Sequence, residues 1–289
     1  MSHSLLGTYL RFLRSPNLNN PPIAVSVPQA AKSILRLYSV HLIVLPLLLI
    51  LIGFVPNAQD SNNLLDILGD SSVWFFAFAA VVMAPVIEEL IFRLPLRASW
   101  FNLLLPLGIV IPNFLGVPFF APFLLLLAIV IVSLAIFKGQ SAILNQVRRF
   151  YGRYSHIIFY AIVLLFGAIH IGNYDSGVWP FLPILVLPQV VVGTLFGFVR
   201  LRYGFIWAIL LHALHNGCLL LPVFIVQIFG SEKLQANMAE MPDITTLSTS
   251  DQIVSGAIGF YTMGGIILCS VVAWTVVKEW KLNKSSTEL

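Results

Sequence analysis

Residues 205–228 read FIWAILLHALHNGCLLLPVFIVQI, with no Asp, Glu, Lys or Arg anywhere in the run. About 20 apolar residues at 1.5 Å per residue cover the hydrocarbon of a bilayer, and a helix satisfies its own backbone groups where there is no water. The stretch therefore reads as a membrane-spanning helix. His212, His215 and Asn216 interrupt it, and polar side chains at such depth invite a functional explanation.

The rest of the chain agrees with that first window. Of 289 residues, 58% are hydrophobic and 10% charged, whereas a soluble protein has roughly 45–50% apolar and about 25% charged residues. Mean hydropathy is +0.93. Disorder, a coiled coil and a disulfide scaffold are all excluded. Cys218 and Cys269 both lie in apolar runs and are expected as free, buried thiols. A formal charge of +4 spread over such a chain is no nucleic-acid footprint.

Eight windows have the length and apolarity of spans: 35–55, 73–94, 101–117, 119–137, 155–171, 180–200, 205–228 and 253–278. The third is short and carries Pro106 and Pro112, so 101–137 reads either as two spans or as one re-entrant hairpin. Lys and Arg accumulate in cytoplasmic loops. With the N-terminus inside, every basic residue except Lys233 falls in the cytoplasm, while Asp60, Asp66, Asp70, Asp175, Glu232, Glu240, Asp243 and Asp251 fall outside. The expectation is an all-α, polytopic helix bundle of about eight spans with both termini in the cytoplasm. Residues 1–34, where Pro16, Pro21, Pro22 and Pro28 break helices, read as an N-terminal tail. Within it, Leu5 to Arg14 reads as a short helix, lying on headgroups or packed in the core. Residues 35–278 form one membrane domain, and 279–289 a cytoplasmic tail.

Ionisable groups within spans are costly, at least about 2.5–3.5 kcal/mol each near the centre, so the few present are candidates for function. Glu89 and Arg93 stand four apart, acid before base, the favourable order for an ion pair on one helical face. Glu88 is rotated about 100° from Glu89 and finds Phe92 at its own i+4 position, so its partner must come from another helix. A desolvated carboxylate of this kind is suited to taking a proton from water. The opposing reading is that both glutamates only tie helices together. His212 and Asn216 also share a face, where two donors can hold an oxyanion or simply bond a neighbouring helix. His170 closes the fifth window behind Gly167 and Ala168, and Gln189 lies in the sixth. His41, with no polar companion near it in sequence, reads as structural.

Taken together and in order, Glu88-Glu89…Arg93, Phe166…His170 and His212…Asn216 resemble the motifs of the CAAX-processing and bacteriocin-processing (Abi) family of intramembrane proteases, whose eukaryotic members include the Ras-converting enzyme. The stretch from Gln189 through Gly193, Gly197, Arg200, Arg202 and Gly204 is similar to the family's lead-in to its last motif. The likeness covers residues 75–220. It implies a glutamic endopeptidase in which Glu88 is general base, His170 its partner, and His212 with Asn216 the oxyanion hole, with Glu89, Arg93 and Phe166 in support. It implies no cofactor. Three histidines and a carboxylate are plausible zinc ligands, but no His-Glu-x-x-His signature accompanies them. Substrates implied are membrane-embedded or lipidated peptides, in a prokaryotic plasma membrane.

Two departures from the family pattern stand out. Glu88 and His170 are unusually far apart in sequence, with 101–137 as the insertion, and Leu94-Pro95 replaces the usual glycine after the motif arginine. His170 also falls toward the outer end of its window while Glu88 and His212 lie near the inner ends of theirs, so the fifth helix must be short or tilted. The rivals are a non-catalytic scaffold or bacteriocin-immunity protein, and a proton-coupled transporter. The second normally has duplicated halves, which this sequence lacks.

Overall fold

The computed structural model describes residues 4–56, 72–114, 129, 141–236 and 247–285. Among these every regular element is helical. In chain order they are α1 (Leu5–Arg14), α2 (Val27–Ile52), α3 (Val73–Phe78), α4 (Ala84–Phe92), α5 (Trp100–Phe114), α6 (Ser141–Arg153), α7 (Ser155–Ile169), α8 (Leu182–Leu185), α9 (Leu187–Arg202), α10 (Phe205–Phe229), α11 (Glu232–Ala236) and α12 (Thr249–Ser285). A π-helical turn, Ala79–Met83, joins α3 to α4.

Five helical stretches are long and apolar enough to cross a membrane: Val27–Ile52, Val73–Leu96, Ser155–Asn173, Phe205–Phe229 and Thr249–Lys284. These match the first, second, fifth, seventh and eighth sequence windows. The sixth window is broken, because Ser176–Leu185 and Leu187–Arg202 meet at 46°. Pro180, Pro183 and Pro188 each lack an N–H for the helical ladder, which is enough to bend an apolar run. Counting the bent pair gives six spans among the described residues, against the eight expected. In the third window α5 is apolar but has only 15 residues, roughly 22 Å of helix against about 30 Å of hydrocarbon. The fourth window, 119–137, lies outside the described residues except for Ile129.

Helices run into both segments read as tails. Pro28 does not break a helix but sits in the first turn of α2, where its missing N–H costs nothing. The Ser26 N–H donates to Gln29 Oε1 at 3.3 Å, closing that end. At the other terminus α12 continues to Ser285. The headgroup-or-core alternative for α1 is resolved toward the core. Ser4 caps it by accepting from the Gly7 N–H, and Leu6 and Tyr9 join a cluster with Leu37, Tyr38, Phe196 and Phe198. His41 has structural companions after all: Nδ1 donates to the Leu37 carbonyl at 3.0 Å, and Nε2 meets the Tyr9 hydroxyl at 3.0 Å.

The central rod is α9, packed against α7, α10 and α2. Glycine makes this possible. A Cβ on Gly197 would lie 2.6 Å from the Phe159 ring, and one on Gly167 would lie 2.5 Å from the Val190 side chain. Gly197→Leu should therefore destabilise the bundle by about 1–3 kcal/mol through overpacking, read as a lowered midpoint of thermal unfolding in detergent. An unchanged midpoint would mean that α7 and α9 do not meet this closely. Gly204, at φ +116°, turns α9 directly into α10, in a backbone region that only glycine occupies without strain.

Candidate active site

The site forms where α4, α7, α9 and α10 converge. Arg93 follows α4 and is 1% exposed, and its partner Glu89 is fully buried. Arg93 Nε lies 3.5 Å from Glu89 Oε1, the i,i+4 pair expected from the sequence. The Arg93 guanidinium sits 3.8 Å from the centre of the Phe166 ring on α7. Cation–π attraction on that face offsets part of the cost of burying its remaining N–H groups. Gly193 leaves the room: a Cβ there would stand 3.0 Å from the Phe166 ring and 3.4 Å from Arg93 Nη2. Arg200 adds a second tie by donating from Nε to the Arg93 carbonyl at 3.1 Å.

Glu89 serves two partners. Its Oε1 also accepts from His212 Nδ1 on α10 at 3.0 Å. That bond fixes the imidazole so that Nε2 faces the other carboxylate, with Glu88 Oε2 3.7 Å away. Phe196 stacks on the His212 ring, centroids 4.5 Å apart and planes 28° from parallel, so the ring cannot swing. Glu88 itself is 21% exposed, and its buried Oε2 has no hydrogen-bond partner among the described residues. The two adjacent glutamates thus occupy different environments. One is engaged by a cation and an imidazole, and the other is open.

His170 begins the short 3-10 turn that follows α7. Its Nδ1 donates to the Phe166 carbonyl at 2.8 Å, leaving Nε2 as the acceptor nitrogen of the neutral ring. It interacts electrostatically with Glu88, His212 and Arg93, and its ring packs 4.9 Å from that of Phe166. His170 thus stands within electrostatic reach of Glu88, just past the end of the 15-residue α7.

Asn216 is held differently. Its Nδ2 donates to the Ala80 carbonyl at 2.8 Å. The reason lies in Pro85, which follows the π-helical turn. In that turn the Ala84 N–H reaches back to the Ala79 carbonyl. The next carbonyl, Ala80, would look to residue 85, and proline has no N–H to give. Asn216 supplies the missing donor and keeps its second amide proton for other use. His215, one position before, faces away from the carboxylates and meets the Tyr38 hydroxyl at 3.1 Å through Nδ1.

Glu88, Glu89, Arg93, Phe166, His170 and His212 thus come to neighbouring positions, with Asn216 one turn beyond His212 on α10, while Gln189 Oε1 is buried without a hydrogen-bond partner among the described residues. Phe196, Ala80, Pro85 and Tyr38 were missed. Pro85 was the available signal, a proline inside a span only a few residues before the paired acids. The Phe196 ring had none, being one apolar residue among many. Among the described residues no three His, Cys, Asp or Glu side chains are grouped to hold a metal ion.

With this geometry in place, comparison with known proteins is informative. The family model for Rce1-like type II CAAX prenyl endopeptidases matches residues 70–218, just over half of the chain, from the start of α3's segment through all three motifs. No curated protein and no solved structure matched.

Proposed function

The chain belongs to the Rce1-like family of type II CAAX prenyl endopeptidases, and from that premise we propose that it cleaves peptides through a water activated by Glu88. Family membership and its apolar helices make it an integral membrane protein of a protease family. The finer reading rests on one observation above all: Glu88 is 21% exposed, with its Oε2 3.7 Å from His212 and unbonded among the described residues, while Glu89 is fully buried and held through Oε1 by Arg93 and His212, its own Oε2 also unbonded.

In this scheme water donates its two hydrogens to Glu88 and to His170 Nε2, both acceptors, and aims a lone pair at the scissile carbonyl carbon. As the C–O bond forms, Glu88 takes one proton. The oxyanion accepts from His212 Nε2–H and from the second N–H of Asn216. Glu89 holds His212 through Nδ1 and so keeps Nε2 aimed at the oxyanion. Collapse of the intermediate breaks the C–N bond, and Glu88 returns its proton to the departing amine. Glu89 and Arg93 position His212 and do not touch the substrate.

We assign the substrate as a prenylated or otherwise membrane-embedded peptide, the site as open toward the cytoplasm or sideways to lipid, and the host membrane as a prokaryotic plasma membrane. No metal enters this scheme. The test is the purified chain in detergent with a farnesylated peptide ending in Cys-aliphatic-aliphatic-X, the released C-terminal peptide being detected by mass spectrometry. Cleavage should survive EDTA. Failure to cut lipidated peptides of any sequence would sink the assignment, and activity lost to EDTA and restored by zinc would replace the metal-free step.

A further inference from the structure

A cavity of about 770 Å³ lies apart from the carboxylates, between α1, the segment following it and the last turn of α9. Arg11 and Arg202 line it, together with Thr8, Ser15 and the rings of Phe12 and Phe198. Among the described residues that line it there is no Asp or Glu. Its walls are fixed. Leu18, 2% exposed, is buried with Leu96, Phe159 and Leu201, and its N–H donates to Ser155 Oγ at 3.3 Å. The Ile23 N–H donates to the Arg202 carbonyl at 2.9 Å, which closes the segment over the end of α9.

Depth identifies the kind of ligand. Arg202 is the last residue of a membrane-length helix pair, so the cavity stands where hydrocarbon gives way to headgroups. Arg202 Nε is buried with no hydrogen-bond partner among the described residues. Its guanidinium lies about 5.9 Å from the Phe198 ring. Further basic residues gather at the same end, where Arg97 donates to the Leu201 carbonyl and Asn19 bonds the Arg148 carbonyl. Two guanidiniums suit a phosphate, Arg202 with its Nε unbonded among the described residues and Arg11 with its Nε donating to the Gly7 carbonyl at 3.3 Å. Aromatic rings beside them suit the apolar chains attached to such a phosphate. We propose that this cavity holds the phosphate-bearing headgroup of an anionic phospholipid, fixing the N-terminal helix to the bundle.

The whole chain is reconstituted in phosphatidylcholine nanodiscs with increasing phosphatidylglycerol, and the midpoint of thermal unfolding is followed. Phosphatidylglycerol should raise it saturably. Arg11→Gln combined with Arg202→Gln should weaken the apparent affinity about tenfold or more, while Arg148→Gln with Arg149→Gln at the same membrane end should leave it unchanged. Equal loss in both pairs would mean diffuse surface attraction and overturn the site. So would retention in both. Ser15→Glu, an exposed change that puts a carboxylate into the cavity, should abolish the response without lowering the midpoint in pure phosphatidylcholine. A full response in that variant overturns the proposal even if the arginine variants fail to fold. Inorganic phosphate producing the same arginine-dependent shift without phosphatidylglycerol would assign the site to a soluble phosphate instead.

Discussion

Glu88→Gln should lower the rate of peptide cleavage by roughly 10²–10⁴-fold, the range that a positioned general base contributes, while leaving the unfolding midpoint within error of wild type. The carboxamide keeps the shape of the side chain but cannot take a proton from water. Stability should hold because Glu88 Oε2 has no hydrogen bond to lose and its nearest charged neighbour, His212 Nε2, is 3.7 Å away. The rate is measured on a lipidated peptide in detergent, and folding by size exclusion and thermal melting of the same sample. A wild-type rate in the variant would remove Glu88 from the chemistry. The parallel change Glu89→Gln should reduce both activity and stability, since Glu89 anchors Arg93 and His212 together. That difference separates the acid that reacts from the acid that positions.

The largest structural effect is expected at Arg93. Arg93→Ala leaves the fully buried Glu89 with only His212 as partner, and breaking a buried pair from one side costs about 3–5 kcal/mol. The Phe166 ring also loses the guanidinium 3.8 Å from its centre. Unfolding by SDS titration should register that loss as a shifted midpoint and a reduced folded yield. The control is Glu89→Leu with Arg93→Met, which removes both charges and should regain much of the stability without regaining activity. If Arg93→Ala melts like wild type, the pair is not desolvated as described here. If the double variant cleaves at the normal rate, Glu89 has no part in orienting His212.

Much of this arrangement was readable from residue spacing. The i,i+4 relation of Glu89 and Arg93 needed only a helix, and five spans were legible as apolar runs, three of them despite an internal proline: Pro46, Pro85 and Pro222. What escaped did so for physical reasons. In α9 nearly every residue from Gly193 to Leu201 is buried, so its hydrophobic pattern has no polar face from which to infer orientation. Phe196, which stacks on His212, therefore stood out from none of its apolar neighbours. Proline was misjudged in both directions: Pro28 opens a helix instead of preventing one, and Pro188 stands at the foot of a helix that the window placed mid-span. The tie between Asn216 and Ala80 joins residues distant in sequence and depends on a backbone carbonyl, which no side-chain motif announces.

The Ala79–Met83 turn carries a consequence for how the paired acids are aimed. A π-turn accommodates one more residue than an α-turn, and each residue in a helix advances the azimuth by about 100°. The stretch before it, with Trp74 and Phe75 outermost, and the stretch after it, with Glu89 and Arg93 innermost, are therefore two regular screws mounted out of phase. Rewinding the same residues as unbroken α-helix, with none removed, would let the rod run true from end to end and would swing the glutamates by roughly 100° round toward the lipid. The span keeps a defect in its winding, and that defect points its acids inward.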